Sequence, residues 1–392
     1  MAAAPVERLD VHAYTIPTDE PESDGTLEWD STTIVVVEAH ADGQTGLGYT
    51  YCDAAAAEVI SSQLAGAVEG EDAMDVRAAW LRMTAQVRNA GQPGIGFCAV
   101  SAVDQAVWDL KARLLGVPLV VLLGAAHDDV PIYGSGGFCS YSDERLCEQL
   151  GGWAEAGIPR VKMKVGREPE RDPVRLDAAR EAIGDDVELY VDANGAFARK
   201  EALAWAERYA DTWNVTWFEE PVSSDDLEGL RLIRDSGPAG LEIAAGEYAY
   251  VPADFRNLVG CVDCLQADVT RCGGITGLLS ASGLANAHSI DVSAHCAPAI
   301  STHAFCAVER LRHLEYFHDH VRIERMLFDG VPEPELGVLR PDRSRPGNGL
   351  ELKYRDAARF SVQLAEVTST MKNTRKPVAL LVRKGIYDGG SH

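Results

Sequence analysis

Two hydrophobic rhythms divide the chain. Over the first 50 residues the apolar positions gather in β-rich runs, LDVHAYTIP and STTIVVVEAH, and ADGQTG between VVVEAH and LGYTY is a hairpin turn signal. The acidic, turn-rich TDEPESDGTLEWD between the first two runs predicts a loop. Helical spacing takes over at 54–68, 74–89 and 97–115. The last of these, CAVSAVDQAVWDLKARLLG, stops at Gly116 with Pro118 beyond it, a helix terminator. The pattern predicts an α+β domain over residues 1–125.

From about residue 130 the rhythm changes. Short apolar strands (VPIYGS, RVKMKV, VELYVDAN, VTWFEEP, LEIAAGE, CLQADV, DVSAHC and HLEYF) alternate with helical stretches such as 171–183, 198–212, 224–236 and 276–288. Strand–helix units repeated in this way predict an α/β fold, a (β/α) TIM-type barrel over 126–360, with the first domain as its cap. The tail, 361–392, is basic where the rest is acidic. It is expected to pack back on the first domain or to be partly disordered.

Each barrel strand ends in a polar residue that a core strand does not need. Lys164 ends the second, Asp192 the third, Glu219 the fourth, Glu247 the fifth, Asp268 the sixth, His295 the seventh and Glu315 the eighth. Successive spacings are 28, 27, 28, 21, 27 and 20 residues, about one β/α unit each. The C-terminal strand ends of such barrels form one face, so these residues are expected to converge on one pocket. Asp192, Glu219 and Glu247 would repel one another unless a cation lies between them, and a hard divalent ion such as Mg²⁺ suits an all-oxygen donor set. Glu220 follows Glu219 and is expected to face away. Asp268 beside His295 makes a carboxylate–imidazole pair, in which the acid fixes the tautomer and raises the basicity of the ring. Lys162 and Lys164 share a strand face, so Lys162 is expected to depress the pKa of Lys164 by like-charge repulsion and free an amine near neutral pH. For His288, His313 and His318 a structural role is expected.

Composition narrows the partners. The 392 residues are 46% hydrophobic and 24% charged, an ordinary globular balance, and the net charge of −24 argues against nucleic acid. It leaves room for a small anionic substrate wherever a metal or a few cations invert the local field. No run of about twenty apolar residues is present, so no membrane span is expected. MAAAPVERLDVHAY lacks the basic and apolar regions of a secretory signal. Nine scattered cysteines suit reduced thiols in a cytoplasm, and CVDC at 261–264 has no second pair to complete a zinc site.

As a set, KMK, DAN, EEP, GE, D…GG, H and E on successive strands resemble the mandelate racemase subgroup of the enolase superfamily, over residues 8–360 with the cap included. The resemblance implies Mg²⁺ held by Asp192, Glu219 and Glu247, with Lys164 and the His295–Asp268 pair as acid/base groups. Asn194 would contact substrate near the metal, Glu315 would bond to its carboxylate, and Lys162 would tune Lys164 and touch the same carboxylate. Muconate-cycloisomerase relatives carry a lysine just after the sixth-strand Asp. Here that place reads VTR, with Arg271, which together with His295 favours the racemase-like branch. The acidic segment of the first domain would cover the barrel mouth and, with Trp29, select a hydroxylated ligand. A homo-oligomer is expected. The activity so implied is dehydration of an aldonate-type acid sugar to a 2-keto-3-deoxy acid. Racemisation or epimerisation of a 2-hydroxy acid by the same pair is the runner-up, and a non-catalytic sugar-acid binder is the alternative of another class.

Overall fold

The computed structural model describes residues 3–363. The expectation for the C-terminal tail falls almost wholly outside these residues. Three antiparallel strands open the chain, β1 (Arg8–Ser23), β2 (Glu28–Ala41) and β3 (Gln44–Tyr51). Helices α1 (Val76–Gln86) and α2 (Phe97–Leu115) pack beside them. The predicted stop of α2 is observed, with Gly116 in the left-handed conformation, φ 67°. Sheet and helix meet almost backbone to backbone: a Cβ on Gly46 would lie 2.2 Å from Leu110 N, and one on Gly48 2.3 Å from Ala102 O.

The expectation of a loop at TDEPESDGTLEWD is corrected. β1 runs on to Ser23 and β2 begins at Glu28, so most of this segment is a hairpin projecting from the sheet. Its register shifts between Pro17 and Glu22 and then resumes, with Glu22 opposite Trp29. Asp24 fixes the turn by accepting the N–H groups of Thr26 and Leu27, both at 2.6 Å. Acidic residues obscured this ladder in the sequence because its pairing is between backbones and its buried positions, Glu22, Ser23 and Asp24, are polar rather than apolar.

Eight parallel strands then close into a barrel: β4 (Val130–Gly136), β5 (Arg160–Lys164), β6 (Glu188–Asp192), β7 (Val215–Glu219), β8 (Glu242–Ala245), β9 (Cys264–Ala267), β10 (Asp291–Ala294) and β11 (Leu311–Phe317). Closure is the parallel pairing of β11 with β4. Helices α3 (Asp143–Glu155), α4 (Asp172–Ile183), α5 (Arg199–Trp213), α6 (Leu227–Ser236), α7 (Pro252–Leu258), α8 (Gly274–Ala287), α9 (Pro298–Phe305) and α10 (His318–Leu327) follow the strands in turn.

The cap is fastened to the barrel by polar side chains inside apolar α2. Ser101 Oγ accepts the N–H groups of Gly273 and Gly274, Asp104 takes both the N–H and the hydroxyl of Thr276, and Gln105 donates to Val269 O. The projecting hairpin lies across the mouth: Cys139 N–H donates to Ser23 O, Arg167 pairs with Glu28, and Thr26 donates to Asn194 O. Among the described residues no helix is long and apolar enough to cross a membrane.

Candidate active site

Strand geometry delivers the polar ends. Lys164, Asp192 and Glu219 are the last residues of β5, β6 and β7. Asp268 and His295 each lie one residue past their strands, and Glu247 two residues past β8. Glu315 lies inside β11 rather than at its end. Gly246 makes the approach of Glu247 feasible: its φ is 143°, and a Cβ there would meet Gln266 O at 2.1 Å.

All seven meet in one bonded network. Lys162 Nζ lies 2.7 Å from Glu219, 2.8 Å from Glu315 and 3.3 Å from Asp192. Lys164 Nζ lies 2.6 Å from Asp192. His295 Nδ1 is 2.7 Å from Asp268 and its Nε2 3.0 Å from Glu247. Asp268 is braced by Thr270, whose N–H and hydroxyl both donate to it at 2.7 Å, and by Arg271 at 3.3 Å. Non-glycine residues with left-handed φ sit beside the acids and the histidine: Asn194 (45°), Glu220 (39°), Cys296 (52°) and Ala297 (47°). Such conformations cost about 1–3 kcal/mol each and persist only where the surroundings enforce them.

Glu220 carries a positive φ of 39°, is buried, and is not part of the cavity lining. Burial, with Glu247, Asp192 and Glu219 nearby, pushes its carboxyl far up. Burial and Asp192 likewise raise Glu219 to about 7. Glu247, Asp268 and Glu315 go the other way. Burial opposes their ionisation, but His295 overrides it at Glu247 and Asp268, and Lys162 at Glu315. The His295 ring is correspondingly held well above its usual range.

Lys164 departs from expectation. Burial pulls its ammonium down and Lys162 adds to that, but Asp192, helped by Glu247 and Glu219, carries the net shift upward. Like-charge repulsion is present and outweighed by carboxylates the sequence argument left out of the sum. Lys162 departs too. It does not line the cavity, and its ammonium braces Glu219 and Glu315 from beneath.

A cavity of about 710 Å³ opens above the network, between barrel and hairpin. Lys164, Asn194, Glu247, His295, Glu315 and Trp29 line it. Asp192, Glu219 and Asp268 lie behind that lining. One carboxylate oxygen from each of Asp192, Glu219 and Glu247 falls within 4.8 Å of the others. Glu219 Oε1 and Asn194 Oδ1 are buried without a hydrogen-bond partner among the described residues. Buried, convergent and partly orphaned oxygens suit a hard divalent cation.

Several participants escaped sequence reasoning. Ser135 donates to Glu315 at 2.6 Å and Trp217 Nε1 to Glu219 at 3.1 Å. Each could have been flagged by the strand period, since Trp217 lies two residues before Glu219, and Ser135 is the penultimate residue of the first barrel strand. Arg271, Cys296 and His320 also line the cavity. Cys296 follows from loop conformation and His320 from the start of α10, neither of which a hydrophobic period encodes. All nine cysteines are free.

Comparison with known proteins follows the same lines. The profile "Mandelate racemase / muconate lactonizing enzyme, N-terminal domain" matches residues 17–124, and "Enolase C-terminal domain-like" matches 145–357. The chain is 32% identical over 367 residues to 3,6-anhydro-alpha-L-galactonate cycloisomerase of Streptomyces coelicolor, covering 91% of this chain and 98% of that one. A mandelate racemase/muconate lactonizing enzyme-like protein from Rubrobacter xylanophilus superposes with TM-score 0.90 at 63% identity, over 91% and 100% of the two chains. The L-talarate/galactarate dehydratase of Salmonella typhimurium, crystallised with Mg and L-lyxarohydroxamate, superposes at 0.84 with 28% identity, over 92% and 94%.

Proposed function

The chain belongs to the mandelate racemase/muconate lactonizing enzyme family of the enolase superfamily, and from that premise we propose that it is a Mg²⁺-dependent dehydratase of an aldonate-type acid sugar. Its relatives are dehydratases and cycloisomerases of acid sugars. The observation that carries the reading is the placement of Lys164 and His295 in the lining of one cavity, together with Glu247 and backed by Asp192 and Glu219. Those three acids would hold the cation, and Asn194 is in the lining of the same cavity. Bound there, it supplies positive charge opposite the carboxylate whose α-proton is lost.

The residues of the chain do the rest. Of Lys164 and His295, one takes the proton from the carbon α to the carboxylate. The other gives a proton to the departing β-hydroxyl, so that water leaves and the enol product tautomerises to a 2-keto-3-deoxy acid. Asp268 holds His295 Nδ1, which presents Nε2 to the cavity. With a divalent cation on the three acids, the upward pull on the Lys164 ammonium falls, and the repulsion from Lys162 gains weight. The hairpin of the cap lies across the mouth.

The reading is tested with a panel of aldonates in the presence of Mg²⁺, assayed for 2-keto acid as the semicarbazone. Keto acid that disappears with EDTA and returns with Mg²⁺ is the expected result. Solvent deuterium entering the α-position with no keto acid formed would replace dehydration by racemisation, and activity indifferent to EDTA would remove the cation from the account.

A further inference from the structure

The cavity contains a second histidine that the chemistry above does not use. His320 sits in the first turn of α10, with its ring flat against Tyr51 at a centroid separation of 3.4 Å and an interplanar angle of 8°. Its Nδ1 lies 3.3 Å from the backbone nitrogen of Ala297. A backbone N–H can only donate, so Nδ1 must be the accepting nitrogen. The imidazole is then neutral and carries its proton on Nε2. Nε2 has no hydrogen-bond partner among the described residues, and the ring lines the cavity that also holds Lys164 and His295.

The surroundings keep that donor in place. Ala297 and Cys296 both adopt left-handed φ, and this turn directs the Ala297 N–H at the ring. The same turn of α10 grips the hairpin: His318 Nε2 meets Asp19 at 2.9 Å, Asp319 accepts the Thr32 hydroxyl at 2.5 Å, and Arg322 donates to Pro17 O at 2.6 Å. Burial, with the positive charge of His295, holds the ring at about 3, so it stays neutral across the working range.

We propose that His320 is a substrate-contacting residue, whose Nε2–H donates to a hydroxyl oxygen of the acid-sugar chain where that chain runs from Lys164 and His295 toward the hairpin. The proposal rests on the acid-sugar reading above. It adds a fixed, uncharged donor for the hydroxylated chain, paired with the Thr32 and Thr33 side of the cavity.

The test compares the Mg²⁺-loaded wild type with His320→Phe, which keeps a ring on Tyr51, and His320→Gln, which keeps an N–H donor near the Nε2 position. Turnover and calorimetric binding are read with D-gluconate, D-galactonate and L-arabinonate. The expected result for His320→Phe is a KM and Kd raised about tenfold or more at nearly constant kcat, as for one lost neutral hydrogen bond with a group left unpaired. His320→Gln is expected to recover most of the loss, and nitrogen-15 spectra of the wild type should show a neutral ring protonated at Nε2. Wild-type KM in His320→Phe, an Nδ1-protonated ring, or a fall in thermal midpoint and kcat with KM unmoved would each overturn the proposal. A wild type that neither binds nor turns over any acid sugar would overturn the functional reading and this proposal together. Failure of the His320 proposal alone leaves wild-type turnover intact.

Discussion

The barrel interior has two tiers built from the same strands, and they follow opposite rules. In the lower tier Tyr133, Tyr190 and Trp217 pack with Ala244 and Cys264, and His313 sits among the rings, 4.7 Å from Tyr133 and 5.0 Å from Trp217. Two residues further along, four of those strands carry Ser135, Asp192, Glu219 and Glu315. The strand period of two places both sets on the inward face. The lower tier buries large rings with few polar atoms, and burial leaves His313 neutral, its pKa driven well down. The upper tier crowds ionised groups that burial penalises, and only mutual pairing holds them. Lys162 joins the two. Its backbone is in register with Tyr190, its ammonium passes 5.3 Å from the Tyr133 ring, and it ends among the carboxylates. The contrast teaches that the dry aromatic floor gives the charged tier its force, because water cannot reach the acids from below.

Substitution should separate the tiers. The largest effect is expected from His295→Asn, which removes a proton-transfer group from the upper tier. We expect kcat to fall about 10³-fold, within the range of general acid–base contributions, as measured by keto-acid formation with circular dichroism recording the fold. Less than a tenfold loss would remove His295 from the chemistry. Trp217→Ala is the matching lower-tier change. It should cost about 3–5 kcal/mol of stability in denaturant unfolding, as large-to-small core substitutions do. Trp217→Phe keeps most of the volume and loses the indole N–H to Glu219. It should spare stability and weaken Mg²⁺ affinity, so one position reads both tiers.

A buried acid outside both tiers provides the control. Glu324 accepts the Tyr49 hydroxyl at 2.5 Å and the Ala299 N–H at 3.0 Å, on the seam between cap and barrel. Burial raises it from 4.5 to about 8. Below the lower value both folded and unfolded chains hold this proton. Between the two values only the folded chain does, so the stabilisation present in acid is lost as the pH climbs toward 8. The expected change is on the order of a few kcal/mol, and Glu324→Gln should flatten it. Urea midpoints of both proteins from about pH 5 to pH 8 make the check. Parallel slopes would place the proton elsewhere.

Legibility in the sequence follows the same division. Residues whose meaning comes from strand period and unit spacing were readable: the acids of strands three to five, Lys164, and His295 with Asp268 all reach one network. Helix α2 was readable to its terminal glycine, because an apolar run with a C-terminal Gly and Pro has few other outcomes. What failed depended on sums or on local backbone. The shift of Lys164 needed all its neighbours counted, and the nearest was a carboxylate rather than Lys162. The hairpin at 18–30 was hidden by its acidity, although backbone pairing is indifferent to side-chain charge. His320 belongs to a helix start, where its Nδ1 partner lies 23 residues away in sequence.

The smallest expected effect tests whether the hairpin belongs functionally to the charged tier. Thr32 donates its hydroxyl to Asp319, and Asp319 keeps its pairing with Arg322 when that donor is lost. Thr32→Val therefore deletes one hydrogen bond without stranding the acid, and global stability should change by about 1 kcal/mol or less. The hairpin end, freed from α10, should close less firmly over the cavity. KM is expected to rise about threefold, the kinetic equivalent of somewhat under 1 kcal/mol. With chemistry untouched, kcat should hold. If kcat falls and KM stays fixed, the hairpin sets the geometry of the reacting groups themselves, and the boundary between the charged tier and its cover would have to be moved outward to include β1 and β2.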